Sequence, residues 1–211
     1  MRKFFKKPIS KNIGIIFLVS FVLVLPQIIS GKMIIGSDAI FHFNRFFDTA
    51  QQIEQQDFQF FISLYGFQQT GRIVTPVYSQ IFSYFFGLIL LLCQSWYRFQ
   101  IITNFLLFLT AGLSIYFLLR KMAIREQLAR NFSVIYMTTY AVSYWVIRQG
   151  YSSWGAVLLP LCLIPLVDLI KSQRFRPLPI AFSMAVMFQL HFLSSIFLAI
   201  LYLFAYLYCF F

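Results

Sequence analysis

The chain has 211 residues, of which 60% are hydrophobic and 11% are charged, and its mean hydropathy is +0.78. A water-soluble domain of this length does not need so much apolar surface, so the composition excludes a soluble fold. Apolar runs of about 20 residues recur, which is the length that crosses the hydrocarbon core of a bilayer. We therefore predict an all-α, polytopic integral membrane helical bundle, because helices bond their own backbone groups in lipid.

The net charge of +11 comes from 17 Lys and Arg residues against six Asp and Glu residues. Most of the cations lie in three short segments, at the start of the chain, in 120–130 and in 171–176. Such clustering is typical of the cytoplasmic loops of membrane proteins and argues against a nucleic-acid partner. We therefore predict a multi-pass protein with a cytoplasmic N-terminus and the lipid bilayer as its partner.

In chain order, we predict a first spanning helix over 13–29 and then a mixed external loop over 30–98 with juxtamembrane helices. The last apolar run is too long for one straight span. Gln189 and His191 interrupt it, which predicts either a helical hairpin or a broken helix. The predicted apolar runs after the external loop cover 99–119, 132–147, 154–170 and 179–211.

The run 77–93 is apolar enough to cross the membrane, but a complete crossing would conflict with the basic segments. It would place 120–130 outside, against the charge asymmetry. We therefore predict a juxtamembrane or re-entrant helix in the outer half of the bundle. Because the chain stops within an apolar run, we expect 1–211 to be a single transmembrane domain that is a fragment of a longer protein.

A compact polar cluster at 36–46 follows the first predicted span. Asp38, His42 and Arg45 recur in it at helical spacing and share one face. A carboxylate and an imidazole cost free energy near lipid, so their placement indicates a site. A second interpretation remains open, in which Asp38 only favours the start of a helix that Ser37 caps and His42 lies at the interface. We expect Arg45 to be a membrane-surface cation.

Three later residues are candidates for substrate binding, and each also has a plainer interpretation. Arg72 lies in a loop and would also serve as an anchor to lipid headgroups. Arg148 follows an apolar helix, where a long cationic side chain extends to the membrane surface. His191 lies within an apolar run, where an interhelical hydrogen bond would satisfy it.

Several motifs follow one another in a recognisable order along the chain. They are Gly-Ser-Asp-x-x-Phe-His-x-x-Arg at 36–45, Tyr65-Gly66-Phe67, Pro76-Val77-Tyr78, Trp96-Tyr97-Arg98, the tyrosines before Arg148, and His191-Phe192-Leu193-Ser194. This order resembles the N-terminal part of a family of large bacterial membrane proteins, called YfhO-like or "6-pyruvoyl-tetrahydropterin synthase-related". That family is in turn similar to the GT-C glycosyltransferases, which take a sugar from a polyprenyl-phosphate carrier at the outer face of the membrane.

The resemblance implies a GT-C-like N-terminal module in the bacterial cytoplasmic membrane, with a polyprenyl-phosphate-linked sugar as its donor. It implies that Asp38 acts as the catalytic base or as a ligand of a divalent cation. His42 and Arg148 would contact the phosphate or the sugar. Arg72 and His191 are the remaining substrate-binding candidates.

One departure from the family pattern bears on activity. Members of the family usually carry a second acid shortly after the arginine that matches Arg148, whereas 149–155 contains none. We therefore expect this chain alone to be inactive in transfer. The alternative function is that of a non-enzymatic or degenerate membrane protein, such as a truncated fragment, a scaffold or a transport component.

Overall fold

A computed structural model describes residues 8–74 and 78–210, with side chains from residue 11 onward. These residues form helices and loops without a strand, which confirms the predicted all-α bundle. The cations predicted to be cytoplasmic at 1–7, and Pro76 and Val77 of the family motif and of the run 77–93, lie outside the described residues. The helices are α1 (Pro8–Ser30), α2 (Ala39–Gln55), α3 (Gln80–Cys93), α4 (Trp96–Lys121), α5 (Glu126–Met137), α6 (Tyr140–Arg148), α7 (Ser152–Cys162), α8 (Ile164–Ser172), α9 (Pro177–Leu190) and α10 (Phe192–Phe210).

Four helical segments are long and apolar enough to cross a membrane, which shows the character of an integral membrane protein. One of them joins α7 and α8 through Leu163, whose φ of −84° and ψ of −11° stay near helical values. The four segments are Lys11–Ser30, Trp96–Lys121, Ser152–Ser172 and Phe192–Phe210.

The helices run between two ends of the bundle, which we call the basic end and the site end. The basic end comprises 120–126 and 168–176, where the Lys171 ammonium donates a hydrogen bond of 2.6 Å to the Lys121 carbonyl. The site end comprises 34–55, 148–155 and 188–193. There Gly155 lies against the side chain of His191.

The predicted span at 132–147 is wrong in detail, because a break divides it into α5 and α6. The hydroxyls of Thr138 and Thr139 donate hydrogen bonds of 2.8 Å to the carbonyls three residues earlier. Such bonds compete with the helical ladder, and Thr139 takes an extended conformation with a ψ of 151°. The helical segment also begins earlier than predicted, at Glu126.

The last apolar run forms a helical hairpin, one of the two predicted alternatives. His191 joins α9 to α10 in an extended conformation, with a φ of −154° and a ψ of 105°. The Tyr202 hydroxyl donates a hydrogen bond of 2.7 Å to the Cys162 carbonyl. Farther along α10, the Phe175 and Tyr206 rings lie 5.7 Å apart at the basic end. Helix α10 therefore returns from the site end to the basic end.

Helices α2 and α3 pack on each other at the site end. The start of α3 lies beside the turn between α6 and α7, because Ser79 and Gly150 line the same cavity. Its end leads into α4, where the Gln100 amide donates a hydrogen bond of 2.6 Å to the Ile34 carbonyl. Both ends of α3 thus lie at the site end, and α3 does not connect the two ends of the bundle.

The loop between α2 and α3 is fastened to α2 by polar side chains. The buried carboxylate of Asp48 accepts hydrogen bonds from the backbone N–H groups of Tyr65 and Gly66, at 2.7 and 3.0 Å. The Asn44 side chain accepts a further bond of 3.0 Å from the Phe67 N–H. These bonds satisfy backbone donors that the irregular loop would otherwise leave unpaired.

Candidate functional site

A cavity of about 490 Å³ opens at the site end of the bundle. Three of the five predicted site residues, Asp38, His42 and His191, line this cavity. Asp38 and His42 come from the start of α2, whereas His191 comes from the turn of the α9–α10 hairpin. The fold therefore unites polar groups that are far apart in sequence.

His42 is held rigidly in the cavity wall, with 4% of its surface exposed. Its ring stacks on that of Tyr151 at 5.3 Å and on that of Phe46 at 6.2 Å. The Nδ1 atom lies 2.9 Å from Nη1 of Arg45. Burial, and secondly the charge of Arg45, lower the pKa of His42 to about 3. The imidazole is therefore neutral at physiological pH.

Arg45 lies behind His42, and its predicted place at the membrane surface is wrong, because only 2% of its surface is exposed. Its Nη2 donates a hydrogen bond of 2.7 Å to the Ser83 hydroxyl, while its Nε has no partner among the described residues. The guanidinium carbon lies 4.5 Å from the centre of the Tyr78 ring. Burial lowers the pKa of Arg45 to about 10, so the side chain stays charged at neutral pH.

Asp38 occupies the position just before α2, but its carboxylate makes no capping hydrogen bond. The plainer interpretation of Asp38 as a helix cap therefore lacks its characteristic bond. The backbone of Asp38 is fixed instead, because its N–H donates a hydrogen bond of 3.2 Å to the Arg148 carbonyl. The carboxylate lines the cavity.

Gly36 allows the irregular segment before α2 to contact the end of α6. A Cβ atom at this position would lie 2.2 Å from the carbonyl carbon of Arg148, closer than real Cβ contacts come. Only glycine permits this approach of two backbones. The contact positions Asp38 next to the turn that carries Tyr151.

The side chains of Arg148 and Arg72 do not join the cavity. Arg148 contributes its main chain, while its side chain is exposed. Arg72 is also exposed, and its guanidinium carbon lies 5.2 Å from the centre of the Phe67 ring and 5.9 Å from that of Phe41. The structure thus brings together three predicted site residues and leaves these two side chains outside.

Comparisons with protein-family models, with curated proteins and with solved structures find no match to this chain. Its function is therefore inferred from the chemistry of the cavity.

His191 forms part of the cavity wall from the other half of the chain. Its Nδ1 lies 2.8 Å from the Ser194 hydroxyl, which fixes the ring within the first turn of α10. Burial lowers the pKa of His191 below its usual value, so the neutral form is favoured. A neutral imidazole here offers hydrogen bonds to a ligand without adding a charge.

Tyr151 is a site residue that the sequence does not reveal. It lies in the turn between α6 and α7. The two helices are joined beside this turn by a hydrogen bond of 2.8 Å that the backbone N–H of Trp145 donates to the Ser153 hydroxyl. Only 5% of Tyr151 is exposed, and its hydroxyl has no partner in the described part of the chain. Burial raises the pKa of this phenol above its ordinary value. One tyrosine among 12 carries no signal of its own in the sequence.

The described lining of the cavity offers few protein ligands for a divalent cation. No group of three His, Cys, Asp or Glu side chains within the described ranges converges in a way that would hold a metal. Asp38 is the one carboxylate residue that lines the cavity in the described structure. Mg²⁺ is commonly held by one or two carboxylates together with waters and substrate phosphates, so the role of Asp38 as a ligand of a divalent cation stays a prediction. No chemical step is therefore assigned to a cation.

Proposed function

We propose that this protein belongs to a glycosyl-transfer system that uses a lipid-linked sugar phosphate at the site end of the bundle. The observation that carries the proposal is the cavity, which Asp38 and the neutral His42 both line. The charge asymmetry supports an external site end and a cytoplasmic N-terminus, and the resemblance to bacterial membrane proteins supports the bacterial cytoplasmic membrane. The sequence resemblance to YfhO-like proteins and GT-C enzymes points to the same chemistry.

In the proposed reaction, the hydroxyl oxygen of an acceptor attacks the anomeric carbon of the donor sugar. The Asp38 carboxylate takes the proton of that hydroxyl as general base. The bond between the anomeric carbon and the phosphate oxygen breaks, and its electron pair leaves with the phosphate. The products are the glycosylated acceptor and the polyprenyl phosphate.

His42 would stabilise the leaving phosphate. Its neutral ring would donate one hydrogen bond through Nε2, because Nδ1 is the nitrogen that contacts Arg45. A fixed donor of this kind stabilises charge that develops in the transition state, at no cost of reorganisation. The Tyr151 hydroxyl, which has no hydrogen-bond partner among the residues that the structure describes, would supply a second donor in the same wall.

A second candidate function is binding of the lipid phosphate without transfer. The observation that favours it is that Asp38 is the single carboxylate residue in the described lining of the cavity. A polytopic scaffold or transport component would need the fixed donors but no base. The two functions predict the same ligand and differ in the role of Asp38.

The test is incorporation of a labelled sugar from a polyprenyl-phosphate donor by the protein in reconstituted vesicles. Where the wild-type protein transfers sugar, we expect Asp38→Asn to lower the transfer rate by about 100-fold or more, because a general base contributes that much. Asp57→Asn is the matched control, since Asp57 lies outside the cavity and its carboxylate accepts a hydrogen bond of 3.2 Å from the Gln59 side chain. This control should keep the transfer rate.

Equal transfer by wild type and Asp38→Asn would exclude Asp38 as the base. If wild type binds the donor in a filter-retention assay but transfers no sugar, the binding function is correct and the transferase function is wrong for this chain.

A further inference from the structure

Arg45 is a buried cation without an acidic partner among the described residues. No carboxylate oxygen of these residues lies within 4.0 Å of it, although a charge removed from water ordinarily requires compensation. All six carboxylate side chains of the protein fall within the described residues and are placed elsewhere. Asp38 lines the cavity, Asp48 binds backbone N–H groups, Glu54 and Asp57 accept from glutamines, and Glu126 and Asp168 pair with Arg120 and Lys121.

The partner of Arg45 is instead a histidine, and this fixes where the histidine carries its proton. A guanidinium only donates hydrogen bonds, so the Nδ1 atom of His42, 2.9 Å away, must accept one. The single hydrogen of the neutral ring then resides on Nε2. His42 lines the cavity, and with Nδ1 engaged by Arg45 the Nε2–H is the ring N–H that is left for a ligand.

The geometry holds both side chains in this arrangement. The Ser83 hydroxyl accepts a hydrogen bond of 2.7 Å from the Arg45 guanidinium and itself donates one of 2.6 Å to the Ser79 carbonyl. The rings of Tyr151 and Phe46 both stack with the ring of His42. Because a guanidinium has no acceptor atom, the direction of the bond cannot reverse.

We propose that Arg45 is a positioning residue that locks His42 as a neutral Nε2–H hydrogen-bond donor for an anionic ligand group in the cavity. The proposal deepens the proposed function, because it gives the phosphate contact a fixed direction. It rests on the same cavity, but its test measures a property of the free protein and needs no transfer.

The contact with Arg45 keeps the Nε2–H group of His42 available as a donor over the physiological pH range. The titratable and charged groups that surround His42 are Arg45 on its own helix, Asp38 before it, and Tyr78 and Tyr151 from the neighbouring segments. Burial, and secondly the charge of Arg45, lower the pKa of His42 and so oppose the binding of a second proton to the ring. Without its guanidinium, the same ring would be free to exchange donor and acceptor roles.

The test uses ring ¹⁵N chemical shifts of histidine-labelled protein in detergent micelles, which distinguish protonated from unprotonated ring nitrogens. The chain has two histidines, so His191→Gln leaves the signals of His42 alone. We expect protonated Nε2, unprotonated Nδ1 and no titration between pH 5 and 8. A protonated Nδ1, or titration within this range, in the protein with Arg45 intact would overturn the proposal.

Two further variants, whose new side chains are isosteric with each other, test the direction of the hydrogen bond. Arg45→Gln keeps an N–H donor toward Nδ1, so the Nε2–H form should persist. Arg45→Glu replaces the donor by an acceptor, so Nδ1 should become protonated and the titration midpoint should rise by about 2 pH units. Unchanged shifts in a folded Arg45→Glu protein would contradict the lock. The measurement with Arg45 intact decides the question if the glutamate variant does not fold.

The experiments distinguish a wrong inference about the positioning of His42 by Arg45 from a wrong proposed function. A locked His42 in a protein without transfer or donor binding would reject the function and keep the inference. Transfer in a protein whose His42 titrates between pH 5 and 8 would keep the function and reject the inference.

Discussion

At the basic end, Arg120 and Lys121 each face a carboxylate, whereas Arg45 at the site end faces a histidine and a serine. The basic-end pairs measure 3.1 Å to Glu126 and 2.7 Å to Asp168, and about a third of each side chain is exposed. Arg45 is 2% exposed and has no carboxylate partner within the described ranges. One end holds its cations in contact with solvent, and the other holds a cation inside the protein.

The exposed cations of the basic end and the buried Arg45 of the site end therefore have different energetic consequences. Exposed ion pairs contribute about 0–1 kcal/mol, so stability does not explain the basic end, whereas clustered cations of this kind are typical of cytoplasmic loops. A buried cation without an ion pair costs free energy of folding. Its presence behind the cavity is therefore better explained by the ligand than by stability.

The largest effect should come from removing the buried charge. We expect Arg45→Met to stabilise the ligand-free protein by about 1–4 kcal/mol, because a hydrophobic side chain of similar length avoids the cost of desolvation. The same variant should bind a polyprenyl-phosphate sugar more weakly. Thermal unfolding in detergent and a donor-retention assay measure the two effects.

The matched control for this variant is Arg148→Met, since Arg148 has an exposed side chain at the same end of the bundle. Its stability should change by no more than about 0.5 kcal/mol. A marked loss of stability in Arg45→Met would mean that Arg45 supports the fold and would remove the contrast between the two ends.

A smaller effect should follow from crowding the contact that positions Asp38. Gly36→Ala would place a methyl group 2.2 Å from the Arg148 carbonyl carbon, so the two segments must separate. We expect a loss of about 1–3 kcal/mol, as is typical of overpacked sites. Thermal unfolding in detergent measures the loss of stability, and the sugar-transfer assay should show slower transfer.

Gly14→Ala provides the comparison, because a Cβ at Gly14 meets no atom within 4 Å. This variant should keep or slightly raise the stability, since alanine favours a helix by about 0.5–1 kcal/mol over glycine. Equal behaviour of the two variants would show that the Gly36 contact does not constrain the site.

The smallest effect should come from the basic end. Asp168→Asn removes the carboxylate that lies 2.7 Å from the Lys121 ammonium, with 35% of the Asp168 side chain exposed. We expect a loss below about 1 kcal/mol that vanishes in high salt, because solvent and ions screen an exposed pair. Urea titrations at low and high salt measure it, and a loss of several kcal/mol would erase the distinction between the two ends.

The sequence by itself determines the class of the fold. Apolar runs and clustered cations predict the all-α bundle, and its four long apolar helices agree with the prediction. The pattern does not predict the break at Thr138 and Thr139, because hydropathy does not register side-chain bonds to the backbone. It also leaves open whether the last run folds back, which the extended His191 decides.

For the site, residue type and helical spacing are enough to select Asp38 and His42, since polar groups near lipid are costly. Only the tertiary structure brings His191 into the same cavity and leaves the side chain of Arg148 outside it. Only the structure also shows that Arg45 is buried. The spacing gives the face on which Arg45 lies, but the packing of α3 and of the α6–α7 turn over that face decides whether the face meets solvent or protein.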